Sequence, residues 1–141
     1  MEYFTTFKIS GSGLSAQRAK LDAITSNIAN VSTTSTPEGG PYKRKMITFS
    51  AESLKEGFDK SLEDAVRIVK VQNVIEQQDG YKKIYDPAHP DADKDGVVTM
   101  PNVNIMLEMT DLISASRSYE ACATAFDAAK NMALKAMEIG K

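Results

Sequence analysis

The chain has 141 residues, 42% hydrophobic and 26% charged, with a net charge of -2. That length suffices for one ordinary core, and the acidic balance argues against nucleic acid as the main partner, which needs a strongly basic face. Cys122 is the only cysteine, so an internal disulfide is excluded, and no window approaches the roughly 18 apolar residues of a membrane span.

The N-terminus, Met1-Glu2-Tyr3-Phe4-Thr5, lacks a basic region and an unbroken apolar core, so no cleaved signal peptide is expected. Phe7, Leu14, Leu21 and Ile28 then recur every seven residues, with Ile24 and Val31 beside them and Gln17 as the polar member. This spacing predicts an amphipathic helix from Tyr3 to Asn30. Ser10-Gly11-Ser12-Gly13 is its weak point, since each glycine costs a helix about 1 kcal/mol against alanine. The favoured reading runs the helix through, with the small residues admitting a close neighbour. Pro37 and the hydroxyl-rich run before it end the helix, and Glu38-Gly39-Gly40-Pro41 reads as a turn.

The middle is β-rich. Lys45 to Phe49 has the bias of a short strand, and Lys43-Arg44-Lys45, the one basic cluster, reads as a solvated loop or strand edge. Leu54, Phe58 and Leu62 give a short helical signal across 52–64, weakened by Gly57. The β-branched density of Ala65 to Gln78 predicts one long or bulged strand. Asp79-Gly80 predicts a two-residue turn returning Tyr81 to Tyr85 as its partner, and Val97 to Met100 is a further short strand.

From Pro101 to Gly140 no glycine or proline intervenes. Met109, Leu112, Tyr119, Ala123, Phe126, Ala133 and Met137 follow a 4-3 repeat, interrupted by Ser116 and Lys130. A helix from Val103 to Ile139 would be about 55 Å long. The fold expectation is therefore α+β: long N- and C-terminal α-helices packed as an antiparallel coiled-coil-like pair, with a small antiparallel β module between them. The segments are 1–34, 35–100 and 101–141. The longer helix outruns the shorter by a turn or more, and Met106, Ile113 and Leu134 lie on its outer flanks, so an apolar surface is left for a partner. A head-to-tail contact of that kind builds filaments when it does not close.

No catalytic constellation emerges. His89 sits in a proline-rich turn where structural hydrogen bonding is its expected role, no spacing suits zinc, and neither Gly11-x-Gly13 nor Ser10-Gly11-Ser12-Gly13 fits a nucleotide loop or nucleophile elbow. Asp91-Ala92-Asp93-Lys94-Asp95-Gly96 matches the first half of a calcium loop, but Asn102 stands where a bidentate glutamate belongs. A calcium-responsive adaptor built on Asp91 to Asn102 is the second functional reading; a turn capped by its own aspartates is the plainer one.

Ser12-Gly13-Leu14-Ser15-Ala16-Gln17-Arg18, followed by Asn27-Ile28-Ala29-Asn30-Val31-Ser32-Thr33, resembles the N-terminal signature of the axial proteins of the bacterial flagellum. Gly39 to Lys45, Tyr85 to Asp93 with Gly96, Met100 to Asn104, and Ser114 to Ala121 narrow the resemblance to proximal rod proteins of the basal body. Met1 to Phe7 adds nothing to it, 52–64 resembles an insertion, and Tyr81 to Lys83 and Val97 depart locally. The resemblance implies a structural role without enzyme activity, cofactor or metal: a subunit polymerising into a periplasmic tube that transmits torque and forms part of the export channel. The implied partners are copies of itself, other rod proteins, the rod–MS-ring junction protein, the MS ring and the flagellar type III export apparatus. Phe7, Leu14, Leu21, Ile24, Asn27, Ile28, Asn30, Thr33, Met109, Leu112, Tyr119, Phe126 and Met137 are the expected assembly residues.

Overall fold

A computed structural model describes residues 2–53 and 66–139. Helix α1 spans Glu2–Ala29, strand β1 Arg44–Ser53, β2 Arg67–Gln77, β3 Lys82–Tyr85, β4 Val97–Met100, and helix α2 Ile105–Ile139. The architecture is α+β, with the small β elements between two long helices.

The two helices pack antiparallel, since Phe7 meets Phe126, the Cα of Gly13 faces Cys122, and Asn27 meets Glu108. α1 runs unbroken through Gly11 and Gly13. A Cβ on Gly13 would lie 3.1 Å from the Cys122 sulfur, so the missing side chain is what lets α2 approach. Cys122, flanked by Ala121 and Ala123, serves here as a small packing residue. Near Phe7 the two rings meet edge-on, with centroids 5.0 Å apart.

The line of closest approach on α2 is not the row of large apolar residues. Its buried members are Glu108, Ala115 and Ala129, with Cys122 partly covered. These four stand seven residues apart. The seam is thus turned about the helix axis from the predicted row, and Met109, Tyr119 and Met137 are exposed beside it. The reason is steric: small side chains bring two backbones close, and the bulky ones are displaced to the flanks.

β1 and β2 form one antiparallel two-stranded sheet, with Met46 opposite Ile75 and Ile47 opposite Val74. The register shifts between Thr48 and Phe49, where Gln72 is the extra residue, so the bulge expected in the long strand is present. The expected short helix at 52–64 loses Glu52 and Ser53 to β1, and its remainder lies outside the described residues.

β3 does not return against β2. It pairs with β4, Tyr85 opposite Val97 and Lys82 opposite Met100. Gly80 does take the positive φ of a turn, 86°, but the chain is then drawn away by Asn102. The Asn102 amide donates to the carbonyls of Gln77 and Asp79, tying the end of β2 to the segment ahead of α2.

Candidate assembly surface and the buried hub behind it

Asn27 and Glu108 are each only 1% exposed. The Asn27 side chain has four hydrogen-bonding positions and uses all of them. Its Oδ1 accepts from the Lys45 N–H at 2.8 Å and from the Tyr42 hydroxyl at 3.0 Å. Its Nδ2 donates to the Lys45 carbonyl at 2.9 Å and to Glu108 Oε2 at 3.1 Å. The amide therefore stands in for a neighbouring strand, satisfying the main chain of β1 at Lys45.

Arg44 supplies the opposing charge. Its Nε donates to Glu108 Oε1 at 2.6 Å, and its guanidinium lies 3.9 Å from Asp111. Its own N–H reaches Asn102 Oδ1. Ser26 bonds the Tyr42 hydroxyl, extending the cluster along α1. The hub so joins α1, β1 and α2, and a carboxylate buried this deeply needs each of those partners. Of the basic cluster at 43–45, Arg44 and Lys45 open β1, which is the strand-edge reading, but Arg44 is turned inward to Glu108, Lys45 lies over the Tyr42 ring, and Lys43 faces Glu76 at 3.8 Å.

The end of α1 is closed by Asn30 and Thr33. Asn30 Nδ2 donates to the Ser26 carbonyl, its Oδ1 accepts from the Thr33 hydroxyl, and the Thr33 carbonyl takes the Tyr42 N–H. Asn27, Asn30 and Thr33 thus have internal roles that position Tyr42 and β1. Ile24 is buried on α1, while Phe7, Leu14, Leu21 and Ile28 are half-buried, as are Leu112 and Phe126 on α2. Met109 and Met137 stand 50% and 64% exposed, and Tyr119 is exposed as well. Around them Met106, at 72%, Ile113 and Leu134 form the uncovered apolar flank foreseen from the spacing. Arg44, Tyr42, Asn102 and Glu108 are members of the hub that spacing alone does not single out.

The Asp-rich stretch forms the loop of the β3–β4 hairpin. Asp91 accepts from the Thr34 hydroxyl at 2.7 Å, tying the loop to the segment after α1. Asp86 Oδ1 accepts from the Ala88 N–H, and His89 Nδ1 from the Asp91 N–H, which is the structural role expected of that histidine. Gly96 has φ 71°, a conformation that favours glycine, and a Cβ there would press on Tyr85 at 3.0 Å and on Pro87 at 3.2 Å. Among the described residues no three His, Cys, Asp or Glu side chains are grouped to hold a metal ion.

Comparison with known proteins gives two family matches: residues 7–35 to "Flagella basal body rod protein" and residues 94–139 to "Flagellar basal body rod FlgEFG protein C-terminal". The flagellar basal-body rod protein FlgC of Bacillus subtilis is 41% identical over 152 residues, spanning the whole of both chains. The chain belongs to the FlgC family. Its similarity to the FlgC protein of Borreliella burgdorferi is 40%, covering 99% of this chain and 98% of that protein. For Salmonella typhimurium FlgC it is 38% across both whole chains. The two family matches cover most of α1 and all of α2, and each contains one half of the hub: Asn27 in the first, Glu108 in the second.

Proposed function

We propose that the chain is a structural subunit of the bacterial flagellar basal-body rod, assembling with other rod components and catalysing no reaction. Its end-to-end likeness to FlgC proteins carries this reading. In the finer picture, copies of the chain and neighbouring rod proteins polymerise into the proximal part of a tube in the periplasm, after delivery by the type III export apparatus. The rod–MS-ring junction protein and the MS ring bound it on the membrane side. The tube transmits motor torque and encloses part of the export path.

In this picture the segments 1–34 and 101–141 form the inner layer and 35–100 stands outside it. The expected assembly residues divide by depth. Ile24, Asn27, Asn30 and Thr33 build the fold that displays the surface. Met109, Tyr119 and Met137, exposed along one flank of α2, meet the neighbour, with the half-buried Phe7, Leu14, Leu21, Ile28, Leu112 and Phe126 at its margin. The test uses a flagellated host lacking its own FlgC-family protein. Met109→Asp with Met137→Asp should leave the circular dichroism of the purified chain unchanged while removing it from isolated basal bodies and stopping swimming. Incorporation at the unsubstituted level would overturn this assignment of the flank.

A further inference from the structure

We propose that four methionines of α2 form a modification site: a hydroperoxide converts their thioethers to sulfoxides, which releases the flank of α2 from its neighbour, and a thiol-dependent sulfoxide reductase reverses the change. Met106, Met109, Met132 and Met137 are 72%, 50%, 58% and 64% exposed. Of the other described methionines, Met46 on β1 is 40% exposed and Met100 is half-buried. The four stand as two pairs, one towards each end of the helix. Met106 and Met109 are one turn apart and so share a side of α2. Ile113 and Leu134, exposed on the same helix, have no sulfur to oxidise. The inference deepens the reading of the α2 flank as an assembly surface and rests on it.

The step is a two-electron oxidation. A sulfur lone pair attacks one oxygen of hydrogen peroxide; the S–O bond forms and the O–O bond breaks. The leaving oxygen takes the proton of the attacked one and departs as water, so sulfur is oxidised and peroxide reduced. In the return step the reductase removes the sulfoxide oxygen as water, and two thiols are oxidised to a disulfide. Within its own fold α2 loses little, because these side chains are exposed. Against a second copy of the chain the change is large. A flexible apolar side chain becomes a polar one, and its oxygen is stripped of water in the contact. That contact also covers the sulfurs, so the unassembled chain is the form that reacts.

Full-length chain is treated with hydrogen peroxide. Peptide mass spectrometry follows sulfoxide at each methionine, sedimentation velocity follows self-association, and circular dichroism follows helix content. In dilute chain the four sites of α2 should oxidise ahead of Met100 with the helical signal unchanged. Self-association should then weaken at least about tenfold and return after treatment with methionine sulfoxide reductase and dithiothreitol. In concentrated, associated chain, Met109 and Met137 should oxidise at least about threefold more slowly than in dilute chain. A variant combining Met106→Leu, Met109→Leu, Met132→Leu and Met137→Leu keeps the apolar volume and the helix propensity, and it retains Cys122. It should associate like the native chain and be indifferent to peroxide. Equal loss of association by this variant on peroxide treatment would overturn the proposal, and so would full association of native chain oxidised at all four sites. Loss of helical signal on oxidation would overturn it too, because the sulfoxides would then act on the fold and not on the contact. An untreated chain that stays monomeric at every concentration would instead sink the flank reading, and the switch with it.

Discussion

Removing one member of the hub leaves another buried without its partner, and that asymmetry sets the size of the effect. Arg44→Ala strands the Glu108 carboxylate, 1% exposed, and should cost about 3 kcal/mol in urea unfolding. Arg44→Lys should recover only part of this, because a lysine cannot reproduce the Nε geometry at 2.6 Å. Asn27→Asp is isosteric, yet it replaces two donors with acceptors beside Lys45 O and Glu108. It should destabilise by more than about 2 kcal/mol at neutral pH, and a denaturant midpoint unchanged from the native chain would contradict the bonding described. Asn27 was legible in the sequence as part of a signature, but not its task. A buried amide and a surface amide look alike in a string of letters, and the partner that decides between them lies 81 positions away.

At the scale of elements, the two helices, their length and their antiparallel pairing follow from periodicity. Their contact line does not. Hydrophobic spacing weights Met109, Tyr119 and Met137, while the backbones approach along Ala115, Cys122 and Ala129, residues with little hydropathy of their own. The pairing of β3 escapes local reading for a related reason. Asp79-Gly80 is a good local turn, but the partner of β3 is β4, and the Asn102 side chain that holds the end of β2 is distant in sequence, so local propensity carries no trace of either. The two glycines of α1 test this account separately. Gly11 has open space around its absent Cβ, so Gly11→Ala should raise stability by about 0.5–1 kcal/mol. Gly13→Val would press against Cys122 and should lower it by about 1–3 kcal/mol. Thermal melts of the two variants should therefore move in opposite directions.

For the molecule as a whole, α1 is the shared support. It holds α2 through the seam and the strands through Asn27 at Lys45 and Ser12 at the Val69 N–H. α2 is covered on one side only, and it outruns α1, with 35 residues against 28. Among the described residues burial elsewhere is thin, so much of their apolar surface is left uncovered. Met109→Asp should consequently reduce self-association of concentrated chain in sedimentation velocity while lowering its melting temperature only slightly, since that residue is 50% exposed.

The bulged hairpin of β1 and β2 has a further consequence. Among the described residues these strands pair only with each other, and Met46, Val74 and Ile75 are exposed on them. Unpaired edges with greasy side chains are templates for uncontrolled stacking. A pool of chains held long before use should therefore drift toward fibrous precipitate, seeded from 67–77.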